Sequence, residues 1–281
     1  MPIPKYNSPS LDKRSIFLRS LVLRALVGGG RGHVGSSLSI IEIIRVIYDS
    51  YLNFDVENPS WDERDRFILS KGHGCLAQYA ILADKGFFNQ SVLDSFCHND
   101  SILGGHPERE IPGVEASTGS LGHGLSLGVG ISLAARIKKQ DYRTIVVAGD
   151  GEINDGSVWE AAMCAGNHGL MNLTVLIDYN KIQSYGFTQE VADLEPLLDK
   201  WKAFGFGVSQ IDGHDINSIK KCLLSLPLER NKPSAIICHT VKGKGLKFAE
   251  NKPEWHHKSS FTDEEINEMY KGLEEVNSSN N

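Results

Sequence analysis

The stretch that most constrains this chain runs from Thr144 to Gln183, T-I-V-V-A-G-D-G-E-I-N-D-G-S-V-W-E-A-A-M-C-A-G-N-H-G-L-M-N-L-T-V-L-I-D-Y-N-K-I-Q. A short apolar run, 145–148, stops at Gly149-Asp150-Gly151. A helical pattern follows over 157–168. A second apolar run, 173–177, ends at Asp178-Tyr179-Asn180. Short apolar runs alternating with a helix predict a βαβ unit. Its two strands must be parallel, with their C-terminal ends on one edge of a sheet. That brings Asp150 and Asn180 side by side despite their separation in sequence.

An Asp and an Asn oxygen at such an edge suit Mg²⁺. This ion prefers hard oxygen ligands and completes its octahedron with phosphate and water. Gly149 and Gly151 bracket the Asp with no side chains, so backbone can come close to a ligand. The N-terminus of the following helix would turn N–H groups and partial positive charge toward an anion. Together these make a Mg²⁺–diphosphate site. The alternative is that G-D-G is only a tight turn between strand and helix.

The arrangement of G-D-G, helix, apolar strand and Asn resembles the thiamine-diphosphate-binding motif. The resemblance implies a metal held by Asp150, Asn180 and the backbone carbonyl of Ile182. It also implies that Gly151 and Glu152, in the turn after the Asp, lie against the coenzyme together with Asn180. The metal is expected to be Mg²⁺ or another divalent cation such as Ca²⁺ or Mn²⁺.

At 281 residues the chain can bury the core of one large α/β domain. We expect residues 1–281 to form a single such domain, with a short N-terminal extension and a frayed, flexible polar tail over 277–281. The net charge of −6 argues against non-specific nucleic-acid binding and against an anionic membrane surface. Five cysteines, odd in number and without a C-x-x-C pair, suit reduced thiols and a cytoplasmic location. The first fifteen residues carry no apolar signal region. The apolar run 16–27 contains Arg19 and Arg24, so it does not span a membrane.

Two other motifs point elsewhere and fail on context. Residues 30–35 spell G-x-G-x-x-G, the dinucleotide fingerprint, which needs a strand before it. Here a helix over 11–27 precedes it, since Leu18, Leu21, Val22, Ala25 and Leu26 follow helical spacing. An NAD-dependent Rossmann oxidoreductase is therefore kept only as an alternative. Residues 124–128 spell G-x-S-x-G, the nucleophile elbow, but a glycine-rich turn rather than a strand leads into Ser126. The run 125–135 reads instead as a deeply buried helix with close backbone approach.

Further segments resemble transketolases in order along the chain. Gly30-Arg31-Gly32-His33-Val34-Gly35-Ser36-Ser37-Leu38-Ser39 resembles their substrate-facing loop, with His33 at its histidine. Residues 62–74, ending S-K-G-H-G, look like the run that delivers a histidine, here His73, to the diphosphate. Residues 67–69 would be its strand and 75–85 the next helix. His106 matches a third histidine. Gly119, Ser120 and Leu121 match the loop beside the aminopyrimidine, with Ser120 where the larger enzymes usually have Pro and His123 where they have Gln. His256 matches a histidine that contacts coenzyme and substrate, and His257 follows it where glycine is usual.

Asp155 and Glu160 fall where transketolases carry acidic residues near the subunit interface. They also read as a helix cap and a first-turn charge. Beyond these, the spacing predicts a helix over 194–204, a strand over 206–211, and a helix over 216–226 capped by Asp215. That cap accounts for the Asp-Gly-His-Asp turn, 212–215, without a metal. A strand follows over 234–240, then a basic loop, 241–245. A last helix over 262–273 has Thr262 and Glu265 in capping-box register.

The resemblance covers about 15–270. It implies a doubly wound, mainly parallel α/β sheet with helices on both faces, agreeing with the periodicity. It implies transfer of a two-carbon ketol unit from a ketose, free or phosphorylated, to an aldehyde acceptor. His33, His106 and His256 would contact substrate hydroxyls and move protons. The glutamate that activates the coenzyme lies, in this family, on a later domain. The chain therefore looks like the N-terminal subunit of a split transketolase, needing a separate C-terminal subunit in an α2β2 assembly. The alternatives are the first subunit of a 2-oxo acid dehydrogenase, a deoxyxylulose-phosphate synthase relative, and a non-catalytic regulatory subunit.

Overall fold

The apolar runs become the strands of one parallel sheet. The computed structural model describes residues 6–184, 186–256, 258 and 260–278. Strands β1 (Arg66–Leu69), β2 (Thr144–Gly149) and β3 (Leu173–Tyr179) lie side by side in that order. A short antiparallel pair, β4 (Ile182–Gln183) and β5 (Gly186–Phe187), stands apart from them. β6 (Gly207–Asp212) and β7 (Ser234–His239) complete the main sheet, whose order is β1-β2-β3-β7-β6. Every pairing within it is parallel. All the carboxyl ends therefore meet at one edge, where open α/β sheets bind their ligands.

Helices cover both faces, as expected for a doubly wound sheet. Their ranges are α1 (Lys13–Gly29), α2 (Val34–Leu38), α3 (Ile41–Ser50), α4 (Cys75–Lys85), α5 (Gly124–Lys138), α6 (Gly156–His168), α7 (Thr188–Val191), α8 (Leu197–Ala203), α9 (Ile216–Leu224) and α10 (Asp263–Ser278). Alternation along the strands assigns side chains to the two layers. Ile145 and Val147 of β2 pack with α1, α3, α4 and α9. Val146 and Ala148 pack with α5, α6 and α8. Because both faces are covered, β2 and β3 are buried at every position, which is why they read as unbroken apolar runs.

The structure departs from expectation at several elements. The 34–39 segment forms a helix of its own, α2, running directly on toward α3. The expected helix over 194–204 begins only at Leu197, because Pro196 stands at its N-cap with an extended backbone. α10 continues to Ser278, past the expected end at 273 and into the polar tail. α5 is not buried throughout. Its Gly128 lies so close to β2 that a Cβ there would meet Val146 at 2.7 Å, which is the close approach its small residues allow. Its other face is open, with Leu127 42% and Ile137 80% exposed.

Two expected caps form as read. The Asp215 carboxylate accepts from the Asn217 N–H at 3.0 Å. Thr262 and Glu265 exchange side-chain and backbone hydrogen bonds at 3.1 and 3.2 Å. Asp155 does stand at the N-cap of α6, but its side chain makes no capping bond. His214, in the turn before α9, is buried, and its Nδ1–H donates to Glu42 at 2.8 Å. No helix among the described residues is long and apolar enough to cross a membrane.

Candidate active site

The register of β2 on β3 sets the site. Gly149 pairs with Asp178, so Asp150 and Asn180 emerge together just beyond the sheet edge. Lys181 then takes a left-handed backbone, φ 69°, and its N–H donates to Asp150 Oδ2 at 2.5 Å. That turn doubles the chain back, so that Ile182 faces the same space. Asp150 Oδ1 accepts from the Gly151 N–H at 2.8 Å. Asn180 Oδ1 accepts from the Ile182 N–H at 3.1 Å.

Asp150, Asn180 and Ile182 line a cleft of about 250 Å³ with His33, His73, His106, Gly119, Leu121, Gly151, Glu152 and His256. Residues from widely separated stretches of the sequence thus converge on one cavity. Three of the histidines pack ring against ring. His33 lies 5.3 Å from His73 and 5.7 Å from His256, centroid to centroid, and His73 lies 5.7 Å from His256. His106 sits at the exposed mouth with Gly119 beneath its ring. Gly119 has φ +140°, and a Cβ there would meet the imidazole at 2.7 Å.

Two expected coenzyme residues sit differently. Ser120 is exposed and is not among the residues lining the cleft. Glu152 lines it, but its carboxylate is turned inward. It accepts from Ser70 Oγ, from the Gly122 N–H at 3.0 Å and from the Gly149 N–H at 3.0 Å. The helix N-terminus expected beside Asp150 is also displaced. A 3₁₀ turn, Glu152–Asn154, intervenes before α6 starts at Gly156. His257, the neighbour of His256, lies outside the described residues. Ser126, of the G-x-S-x-G run, is an exposed first-turn residue of α5 and not a strand-to-helix elbow.

Sequence reasoning missed the two lysines of the site. Lys71 is buried and paired with the equally buried Asp178. Asp178 also accepts from Ser39 Oγ at 2.7 Å, from Thr240 Oγ1 and from Asn180 Nδ2 at 2.9 Å. Lys242 reaches in from the basic loop after β7, and its Nζ donates to the Ile182 carbonyl at 2.8 Å. The loop's Val-Lys-Gly-Lys-Gly sequence at a strand end was the available signal for Lys242. Nothing local marks Lys71 as the partner of Asp178.

The electrostatics follow from burial. Asp150 is pushed up to about 6, first by desolvation and then by the neighbouring Asp178 carboxylate. Burial, and then Lys71, lower Lys242 to about 8. Burial would raise Asp178, but Lys71 and the hydrogen bonds outweigh it and hold the carboxyl below its usual range. Burial, then Lys71, His33 and His256, hold His73 well below the usual imidazole range, so it is neutral. Burial also lowers His106.

The donor set fits a hard divalent cation. Asp150, Asn180 and the Ile182 carbonyl offer oxygen only, and Asp150 is a carboxyl whose charge is disfavoured by burial and would be compensated by a cation. The described residues contain no group of three or more His, Cys, Asp or Glu side chains able to hold a metal. With three protein oxygens, a cation here would draw its remaining ligands from a diphosphate and water.

An α/β sheet with oxygen donors and histidines gathered at its carboxyl edge suits a protein that binds a diphosphate-bearing coenzyme. The chain belongs to the family described as transketolase, thiamine diphosphate binding domain, which it matches over residues 12–276. It is 40% identical to one of the subunits of the apulose-4-phosphate transketolase of Phocaeicola vulgatus, over 97% of this chain and 98% of that one. It is 43% identical to the 6-deoxy-6-sulfo-D-fructose transketolase subunit SqwG of a Clostridium species, over 86% of this chain and 88% of that one. Its fold superposes on a transketolase from Pichia stipitis with a TM-score of 0.87 at 30% identity, covering 93% of this chain and 40% of the other. The chain thus spans about two fifths of that solved transketolase and nearly the whole of the Phocaeicola vulgatus protein.

Proposed function

We propose that the chain is the coenzyme-binding subunit of a thiamine-diphosphate-dependent transketolase completed by a second polypeptide. The observation that carries this reading is the convergence of Asp150, Asn180, Ile182 and the four histidines on one cleft. When bound, thiamine diphosphate supplies the carbon nucleophile and electron sink needed to cleave a carbon–carbon bond beside a ketose carbonyl. Asp150, Asn180 and the Ile182 carbonyl hold a divalent metal, with Mg²⁺ favoured by the all-oxygen donors.

His73, kept neutral, retains an N–H to donate to a phosphate oxygen. The backbone at Gly151 and Glu152 flanks the diphosphate, while the Glu152 carboxylate braces the turn. Gly119, Ser120 and Leu121 lie toward the aminopyrimidine, with Ser120 acting through its backbone. His33, His106 and His256 bind the hydroxyls of a sugar or sugar phosphate and hold or move protons at the reacting carbons.

The relatives are named as subunits of transketolases, which supports a partner chain, and we propose an α2β2 assembly in the cytoplasm with no nucleic-acid or membrane partner. The open face of α5 and α6 supports an interface. It presents Leu127, Ile137 and Met163, 42%, 80% and 59% exposed, on two helices that pack together. Large apolar side chains left exposed on packed helices support an association surface. Calorimetry of thiamine diphosphate with and without Mg²⁺, on the chain combined with its second subunit, tests the reading. We expect binding that requires the metal. Metal-independent binding would remove the roles given to Asp150, Asn180 and Ile182.

A further inference from the structure

Asp178 directs no oxygen into the cleft. It is fully buried and is not among the lining residues. Yet it touches both residues that would give side-chain oxygens to the metal. Its Oδ2 accepts from Asn180 Nδ2 at 2.9 Å, and its backbone carbonyl accepts from the Asp150 N–H at 3.3 Å. The same carboxylate is held by Lys71 Nζ, by Ser39 Oγ at 2.7 Å and by Thr240 Oγ1. Its backbone is fixed from both sides, since β3 pairs Asp178 with Gly149 of β2 and with Cys238 of β7.

We propose that the Asp178–Lys71 pair is the positioning unit of the metal site, setting the Asn180 amide so that its oxygen faces the cation. This rests on the functional reading above. The two ends of an amide are nearly alike in shape, so packing alone does not choose between them. Hydrogen bonding does. An ionised carboxylate only accepts, so it takes the NH₂ end of Asn180 and repels the oxygen end. The Ile182 N–H, donating to Asn180 Oδ1, favours the same orientation. Lys71 supplies the positive charge that lets a carboxylate remain in so buried a place. The partners come from different elements, since Lys71 follows β1 while Ser39 precedes α3 and Thr240 follows β7. One buried carboxylate thus ties these segments to the two metal-binding residues. Partners that orient metal ligands in this way contribute about 10- to 100-fold to metal affinity.

The test replaces the carboxylate while keeping its shape, in Asp178→Asn. That change strands the Lys71 ammonium, so Asp178→Asn/Lys71→Met provides a charge-balanced second variant. The probe is Mn²⁺, followed through the electron paramagnetic resonance signal of the free ion, with thiamine diphosphate present and the chain combined with its second subunit. Thermal unfolding of the metal-free protein shows whether each variant folds. We expect a folded variant to bind Mn²⁺ about 10- to 100-fold more weakly than the unaltered protein. Unchanged Mn²⁺ affinity in a folded variant of either kind overturns the inference. Failure of the unaltered protein to bind Mn²⁺ at all overturns instead the functional reading on which it rests.

Discussion

The rings of His33 and His256 meet edge to face, their centroids 5.7 Å apart. Neighbouring backbone holds them there. Gly32 and Lys258 form an antiparallel bridge, with reciprocal hydrogen bonds of 3.0 and 3.2 Å. We predict that His33→Ala and His256→Ala each lower turnover by about 10²–10⁴, the usual worth of an acid–base group. Coenzyme binding should survive in the first and fall partly in the second. Steady-state kinetics beside coenzyme titration checks both, and unaltered turnover in His33→Ala would remove it from the substrate.

The bridge is itself braced from α10. The Lys258 ammonium pairs with Glu265, and Glu265 also closes the capping box with Thr262. Glu265→Ala breaks both links and leaves the residues beside His33 and His256 less fixed. We expect turnover to fall about tenfold, equivalent to ~1.4 kcal/mol, with coenzyme affinity retained. Parallel measurement of the two quantities checks this, because general destabilisation would lower both.

Gly119 illustrates a different constraint. Its φ of +140° and its 2.7 Å approach to the His106 ring leave no room for a methyl group. Gly119→Ala should destabilise the fold by about 1–3 kcal/mol, the range for overpacking, and should displace His106 at the cleft mouth. Chemical denaturation together with the Michaelis constant for the ketose reads out both effects.

Behind the site, Glu42 accepts from Arg19 at 2.6 and 3.0 Å and from His214 at 2.8 Å, all three side chains being buried. Burial would push Glu42 up, but Arg19 outweighs it and holds the carboxyl well below its usual range. A depressed carboxyl contributes stability above its unfolded value, about 4.3, and loses it as pH falls through the folded value. Glu42→Gln should therefore cost about 3–5 kcal/mol at neutral pH, as expected for breaking a buried ion pair. The gap from the unaltered protein should narrow below about pH 4. Urea unfolding at a series of pH values checks the sign.

Much of this was legible in the sequence because the relevant signals are local or periodic. Unbroken apolar runs marked β2 and β3, since a parallel strand covered on both faces has no polar alternation. Strand ends then placed Asp150 beside Asn180, and turn chemistry placed the caps at Asp215 and Thr262. What stayed hidden depends on tertiary pairing. Lys71 and Asp178 are each unremarkable in their own segments, and only the packed sheet edge makes them partners. The open face of α5 was hidden for a related reason. An apolar run looks alike whether or not the chain covers all of it, so a helix exposed at Leu127 read as buried over 125–135.

Binding the coenzyme on this chain, and completing a transketolase only with a second subunit, is the central claim. The most direct measurement is ketol transfer by the purified chain with thiamine diphosphate, Mg²⁺ and a panel of free and phosphorylated ketoses, before and after the second subunit is added. A coenzyme site left partly open to water lacks the enclosure that strengthens electrostatic stabilisation. We predict no turnover from the chain alone and turnover on mixing, abolished by Asp150→Ala. Substantial transfer by the isolated chain, or activity on mixing that survives Asp150→Ala, would contradict the claim.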